Sequence, residues 1–270
     1  SEYGMQSFPD LKTIEAFANR KDWDQDSEVI RSHQKASLGN KNVIMYIEKY
    51  YPKPKDFESL VMLSQFIQSD AIKHAVETHR RNMPYCMGTL YWQLNDCWPV
   101  ASWSSIDYFG NWKAVHYKAR SFFNYAITSV LEQDNKVIVY LINDRNKSYG
   151  LDVRLRLRGF DGSILKEFIK SVKVKPIYSK AIFNLWTKSE REAIGIYEVE
   201  MDNSKRKDEE WYINTNVTYA FGSGKVTGSY GDATAKKHAD TLWTSQDKTD
   251  GLIPDGQDVG DVAYRGLKYN

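Results

Sequence analysis

The chain has 270 residues, 41% of them hydrophobic, with 37 basic and 35 acidic side chains for a formal net charge of +2. That balance excludes general electrostatic attraction to nucleic acid or to a membrane surface. The length suffices for one large domain or two smaller ones, and no apolar run approaches the roughly 20 residues needed to span a bilayer, so a soluble chain is expected. The opening "SEYGMQSFPD" has no basic region followed by an apolar stretch, so no signal peptide is read there.

Residues 10 to 82 read as mostly helical. "DLKTIEAFAN" places Leu11, Ile14, Phe17 and Ala18 at helical spacing. "DSEVIRSHQKA" is a weaker helix with Asp26 or Ser27 as cap, and "NKNVIMYIEKYY" is stopped by Pro52 and Pro54. Asp56 caps the longest segment, residues 57 to 82, whose Leu60, Leu63, Ile67 and Val76 lie broadly on one face opposite Lys73, Glu77 and Arg80. Pro84 breaks that helix. "CMGTLYWQL" then reads as a buried strand, and residues 111 to 127 as another amphipathic helix. Helix, strand, helix is the alternation of an α/β domain.

After Ala126 the pattern changes to short alternating runs, "NKVIVYLIND", "LDVRLRLRGF", "SKAIFNLW" and "IGIYEVEMD", separated by turn-forming residues. They predict an antiparallel β-sandwich. In "DVRLRLR", Val153, Leu155 and Leu157 share one face and the arginines the other, which is read as a solvated sheet face rather than an anion site. From about Asn214 the chain becomes rich in Gly, Asp, Lys and Thr. Eight of its 16 Gly lie beyond residue 220, so this reads as a loop-like tail. "NVT" at 216–218 matches a glycosylation acceptor, a weak signal by itself. Cys86 and Cys97 bracket a stretch that holds its ends roughly 30 Å apart when extended, so two free thiols are expected.

The stretch "GTLYWQLNDCWPVASW", residues 88 to 103, holds three of the chain's eight Trp, interleaved with Gln93, Asn95 and Asp96. A buried strand wants apolar residues alone, and an exposed loop rarely tolerates three indoles. A surface that stacks on an apolar sugar face while bonding its hydroxyls needs both kinds of residue.

"SEYGMQSFP" at 1–9, "RSHQKASLGN" at 31–40, "DFESLVMLSQ" at 56–65 and the block "HRRNMPYCMGTLYWQLNDCWPVASWSSIDYFGNWKAVHYKA" at 79–119 together resemble the β-mannosidases of glycoside hydrolase family 2. The resemblance is dense over residues 1 to 126, thins through the sandwich and is lost in the tail. It implies the last part of a (β/α)8 TIM barrel over 1–126, an immunoglobulin-like β-sandwich over 127–213, and a tail of undefined structure over 214–270. It further implies that Glu2, in the family's Ser-Glu-Tyr/Phe-Gly motif at the end of barrel strand seven, is the nucleophile of a retaining exo-acting β-mannosidase, forming a glycosyl-enzyme ester. "GTLYWQL" then matches barrel strand eight, and Trp92 the indole flooring the −1 sugar subsite. Asn95 and Asp96, beyond the same strand end, would bond sugar hydroxyls or hold the loop.

The family's acid/base Glu follows an Asn, and no Asn-Glu dipeptide occurs in this chain, so the sequence looks like a C-terminal piece lacking the first six strands. On its own it is expected to be inactive and to self-associate through the incomplete barrel. Trp98 and Trp103 are read as packing the loop more than touching sugar, and His33 and His79 as structural. No cluster of His, Cys, Asp and Glu has metal-ligand spacing, so no metal site is expected, and the resemblance calls for no cofactor. The expected partner is a β-mannoside oligosaccharide. The alternatives are another family-2 hydrolase (a β-galactosidase or β-glucuronidase) and a non-catalytic carbohydrate-binding module. The compartment stays open among secreted, periplasmic and lysosomal settings.

Overall fold

The computed structural model describes residues 2–133, 136–159, 161–186, 193–202 and 213–221. Strand β1, Glu2–Tyr3, is followed by a short helix α1, Leu11–Glu15, capped by the Asp10 carboxylate on the Lys12 N–H. The helix expected over 10–19 is thus halved: the Phe17 and Ala18 N–H groups both return to the Ile14 carbonyl and a 3-10 turn follows at Arg20–Asp22. Helix α2, Glu28–Ser32, is capped by Ser27 rather than Asp26. Helix α3 spans Gly39–Tyr50, and α4 spans Phe57–Arg81 with Asp56 accepting from the Ser59 N–H. Phe8, Ile14, Ile30, Val43, Ile47 and the apolar stripe of α4 form one core.

Strand β2 is confined to Leu90–Tyr91, much shorter than the run expected over 86–94. A ladder exists only where a partner lies alongside, and β1 supplies two residues of it: the strands are parallel, Glu2 opposite Leu90 and Tyr3 opposite Tyr91. Helix α5 covers only Ala114–Phe122 of the segment expected over 111–127. Its start is delayed because Trp112 bridges Ile106 and the Lys113 N–H bonds the Ser105 carbonyl. Its end is set by Arg80, whose guanidinium reaches from α4 to the Phe122 and Asn124 carbonyls and the Asp144 carboxylate. The chain then turns directly into strand β3, Ala126–Gln133.

Strands β4 (Lys136–Asn143), β5 (Tyr149–Arg158), β6 (Ile164–Val174), β7 (Tyr178–Trp186), β8 (Ala193–Asp202) and β9 (Ile213–Phe221) complete the molecule. They form two antiparallel sheets, ordered β3-β4-β7 and β6-β5-β8-β9. Val137, Val139 and Leu141 of one sheet share a core with Val153, Leu155, Val199 and Met201 of the other. The arginine face of β5 is ordinary in the expected sense: Arg154 pairs with Glu200, Arg158 with Glu198, and Arg156 with Glu167, Glu198 and Glu200. Burial opposes the Arg156 charge, yet those carboxylates outweigh it and raise its pKa above the usual guanidinium value.

Three strands lie outside the alternation noted in the sequence: β3, whose first two residues fall in the helix expected over 111–127, β6 and β9. β6 is an edge strand, exposed along most of its length and studded with lysines, so it lacks a buried face to announce it. β9 begins at residue 213, where the sandwich was expected to end, and pairs along β8 instead. The rest of the expected tail lies outside the described residues. Cys86 and Cys97 are free thiols. No described helix is long and apolar enough to cross a membrane.

Candidate active site

Tyr3 and Tyr91 pack against Ile72, Val76, Val115 and Phe122 of α4 and α5. Because side chains alternate along a strand, Glu2, Leu90 and Trp92 point to the opposite face. That face is open: Leu90 is 73% and Trp92 50% exposed, and Glu2 is exposed too. The parallel register sets Glu2 beside Leu90, with Trp92 two residues further on, about 7 Å along the strand. The Trp92 N–H donates to the Tyr3 carbonyl at 2.7 Å, locking the two strand ends together. An exposed carboxylate and an exposed indole thereby lie at the C-terminal ends of two adjacent parallel strands.

The approach of the strands depends on Gly4. A Cβ there would lie 2.4 Å from the Trp92 carbonyl oxygen and 2.8 Å from Trp103 Cδ1. Trp103 is therefore seated against the exit of β1. The Trp92–Gln93 peptide bond is cis, and the Gln93 N–H donates to the Trp103 carbonyl at 3.1 Å.

Beyond Trp92 the loop is built around Asp96, which is buried at 8% exposure. Its Oδ1 accepts from Gln93 Nε2 at 3.1 Å, and its Oδ2 accepts from the hydroxyls of Ser102, at 2.9 Å, and Ser104. Both Asp96 oxygens accept from protein donors, which ties the start of the loop to its return at Ser102 and Ser104. Asn95 is exposed, with its backbone bridged to Ile106.

Two buried polar side chains lie under this surface. Gln68 of α4 places Nε2 within 3.1 Å of the carbonyls of Met5, Trp103 and Ser104, which share its two N–H donors, and accepts from the Ser7 hydroxyl at 2.8 Å. Lys113 places Nζ 3.4 Å from the Ser7 carbonyl and 3.3 Å from that of Ser102. Burial drives the Lys113 pKa down to about 8, partly offset by Asp96 and Asp107. Asp107 in turn accepts from Thr13, Asn111 and the Phe109 N–H, fixing the turn that follows. Burial, helped by the charge of Asp107 and opposed by the Lys12 N–H, raises the Asp10 pKa. Gln68 and Lys113 were not singled out in the sequence. The available signal was polar residues interrupting apolar helical stripes, Ser64, Gln65 and Gln68 in α4 above all.

His33, His79 and Trp98 pack against other side chains. His33 is sandwiched between Phe17, at 3.7 Å between ring centroids, and Trp98, at 5.0 Å, while its Nδ1 meets the Pro99 carbonyl. His79 stands edge-on to Tyr3 and bonds Thr89. A concavity of about 510 Å³ lies on the helix side of β2, lined by Tyr91, Trp112, His116, Tyr117, Arg120 and Phe123. It faces away from Glu2 and shares only the strand with the candidate site. Among the described residues no group of three or more His, Cys, Asp and Glu side chains is arranged to hold a metal ion.

Comparison with known proteins bears on this arrangement. Residues 135–212 match the family model of the mannosidase Ig/CBM-like domain. The chain is similar to the β-mannosidase of Capra hircus, 30% identical over 194 residues, covering 67% of this chain and 22% of that protein. Similarity to β-mannosidase B of Aspergillus niger reaches 37% over 121 residues, 43% of this chain and 14% of that one. Among solved structures, the β-D-mannosidase of Dictyoglomus thermophilum superimposes with a TM-score of 0.76 at 27% identity, covering 83% of this chain and 27% of that chain. The exo-chitosanase of Amycolatopsis orientalis shares the fold, with a TM-score of 0.68 at 18% identity over 79% of this chain and 26% of that one. The chain spans about a fifth of the length of the curated relatives it matches. Over that fifth it is similar to β-mannosidases in sequence and in fold.

Proposed function

We propose that this chain carries the nucleophile and the sugar platform of a retaining exo-β-mannosidase acting on terminal β-linked mannose. The observation that supports the reading is the exposure of Glu2 and Trp92 at the adjacent ends of two parallel strands. On this reading β1 and β2 are the seventh and eighth strands of an eight-stranded barrel, whose functional face is the one at the strand C-termini. The apolar face of the mannose ring stacks on Trp92, and the exposed Asn95 amide bonds a hydroxyl. The Glu2 carboxylate attacks the anomeric carbon as the glycosidic C–O bond breaks. The leaving oxygen takes a proton from a second carboxyl group about 5 Å away, and water then cleaves the ester with that group acting as base. That acid is supplied by the rest of the barrel, so the chain by itself is expected to show no measurable turnover. Its open β1–β2 face is where self-association of the isolated chain is expected.

The test uses the full-length protein that carries this chain. Glu2→Ala should abolish hydrolysis of an aryl β-mannoside without unfolding the protein. Azide should partly restore turnover of an activated substrate, giving a glycosyl azide of inverted configuration. A 2-deoxy-2-fluoro mannosyl fluoride should label the peptide "SEYGMQSF". Label on any other carboxylate, or a fully active Glu2→Ala variant, refutes the assignment. Preference for the matching galactoside or glucuronide would shift it to another family-2 hydrolase, and binding without turnover to a carbohydrate-binding module.

A further inference from the structure

We propose that Gln68 is a positioning residue for Glu2, its amide fixing the exit of the Glu2 strand against the loop that follows Trp92. The proposal rests on the nucleophile reading above. Gln68 is fully buried on α4 and uses both ends of its amide. Toward the Glu2 strand, Nε2 donates to the Met5 carbonyl at 2.9 Å and Oε1 accepts from the Ser7 hydroxyl at 2.8 Å. Toward the other loop, Nε2 lies 3.1 Å from the carbonyls of Trp103 and Ser104. The Trp103 carbonyl also takes the Gln93 N–H, the peptide group directly after Trp92. One side chain thus links a point three residues past Glu2 to a point one residue past Trp92.

Neighbouring residues of α4 hold the same strand exit. The Phe8 N–H donates to Ser64 Oγ at 3.0 Å, and Gln65 Nε2 reaches the Phe8 carbonyl. Only Gln68 among these three also bonds the loop after Trp92. A buried amide is costly unless its donors and acceptor find partners; here two N–H donors are shared among three carbonyls and Oε1 takes the Ser7 hydroxyl, so the amide ties both loops at one spacing. No apolar side chain reproduces it, because three carbonyls converge on Nε2.

Displacement of a reacting group by about 1 Å can cost on the order of 10²-fold in rate. In the full-length protein, Gln68→Met should therefore lower kcat on an aryl β-mannoside by about 10- to 100-fold with KM changed by less than about threefold. Gln68→Asn keeps the amide but withdraws it by about 1.5 Å; it should show the same pattern, and it serves where the Met variant does not fold. The decisive readout is the Glu2→Ala background, where azide replaces the carboxylate. There, adding either Gln68 substitution should leave the azide-rescued rate unchanged, since no Glu2 remains to be misplaced. Two results would overturn the inference: wild-type kcat in both Gln68 variants, or an azide-rescued rate that falls by the same factor as the parent rate. Failure of the nucleophile reading itself looks different, because Glu2→Ala alone would then stay active or resist azide rescue.

Discussion

Substituting Gly4 by alanine tests how closely the two strand ends approach. The added Cβ would stand 2.4 Å from the Trp92 carbonyl oxygen and 2.8 Å from Trp103 Cδ1, where real Cβ contacts almost never fall below 3.0 Å. Relief to an ordinary contact of about 3.4 Å requires the backbone carbonyl to retreat by about 1 Å. That carbonyl is not the tip of a flexible side chain. It belongs to the peptide that also bonds Trp103, and its own residue is tied to Tyr3 at 2.7 Å. The strain is that of an overpacked site, about 1–3 kcal/mol. In the full-length protein the same shift moves Trp92 relative to Glu2, and turnover should fall on the order of 10²-fold. Thermal denaturation followed by near-ultraviolet circular dichroism, which senses Trp92 and Trp103, reads the first effect; steady-state kinetics on an aryl β-mannoside reads the second. A Gly4→Ala variant with unchanged melting and unchanged kcat would show that the strand ends do not meet as described.

Asp96→Ala should destabilise the fold by about 3 kcal/mol, because Gln93, Ser102 and Ser104 lose a buried charged acceptor together. Asp96→Asn, which keeps one acceptor oxygen, should cost less, and urea denaturation showing Asp96→Ala within 0.5 kcal/mol of wild type (about the effect of an ordinary surface substitution) would refute the loop role. Lys113 gives a pH-dependent prediction: burial lowers its pKa from 10.5 to about 8, so between those values the unfolded chain holds a proton that the folded chain has released. Wild-type stability therefore rises with pH across that window, by about 3 kcal/mol relative to Lys113→Met, whose side chain does not titrate. A stability difference between the two proteins that stays flat from pH 8 to 10.5 would place Lys113 in water instead.

The sequence alone determined the local elements whose signals are periodic or capped. The Asp56 cap and the alternation of Val153, Leu155 and Leu157 depend on neighbours in the chain, and each is where it was expected; the buried surface of α4 is wider than the expected stripe and takes in Glu77 and Arg80, which had been set on the opposite face. Glu2 and Trp92 were legible as candidates for the same reason, since their motifs are contiguous. What only the tertiary structure decided are features set by partners distant in the chain. β2 is short because its ladder ends with β1, α5 stops where Arg80 takes its last carbonyls, and β6 enters the core only at its end, at Val172 and Val174. That Ser102 and Ser104 converge on Asp96 could not be read from the sequence. Gln68 and Lys113, separated by 61 and 106 residues from the Ser7 atoms they meet, carried no local mark beyond being polar in apolar surroundings. Periodicity reports which face of an element is buried; it does not report which atoms a buried polar group will find there, because that depends on the packing of the whole chain.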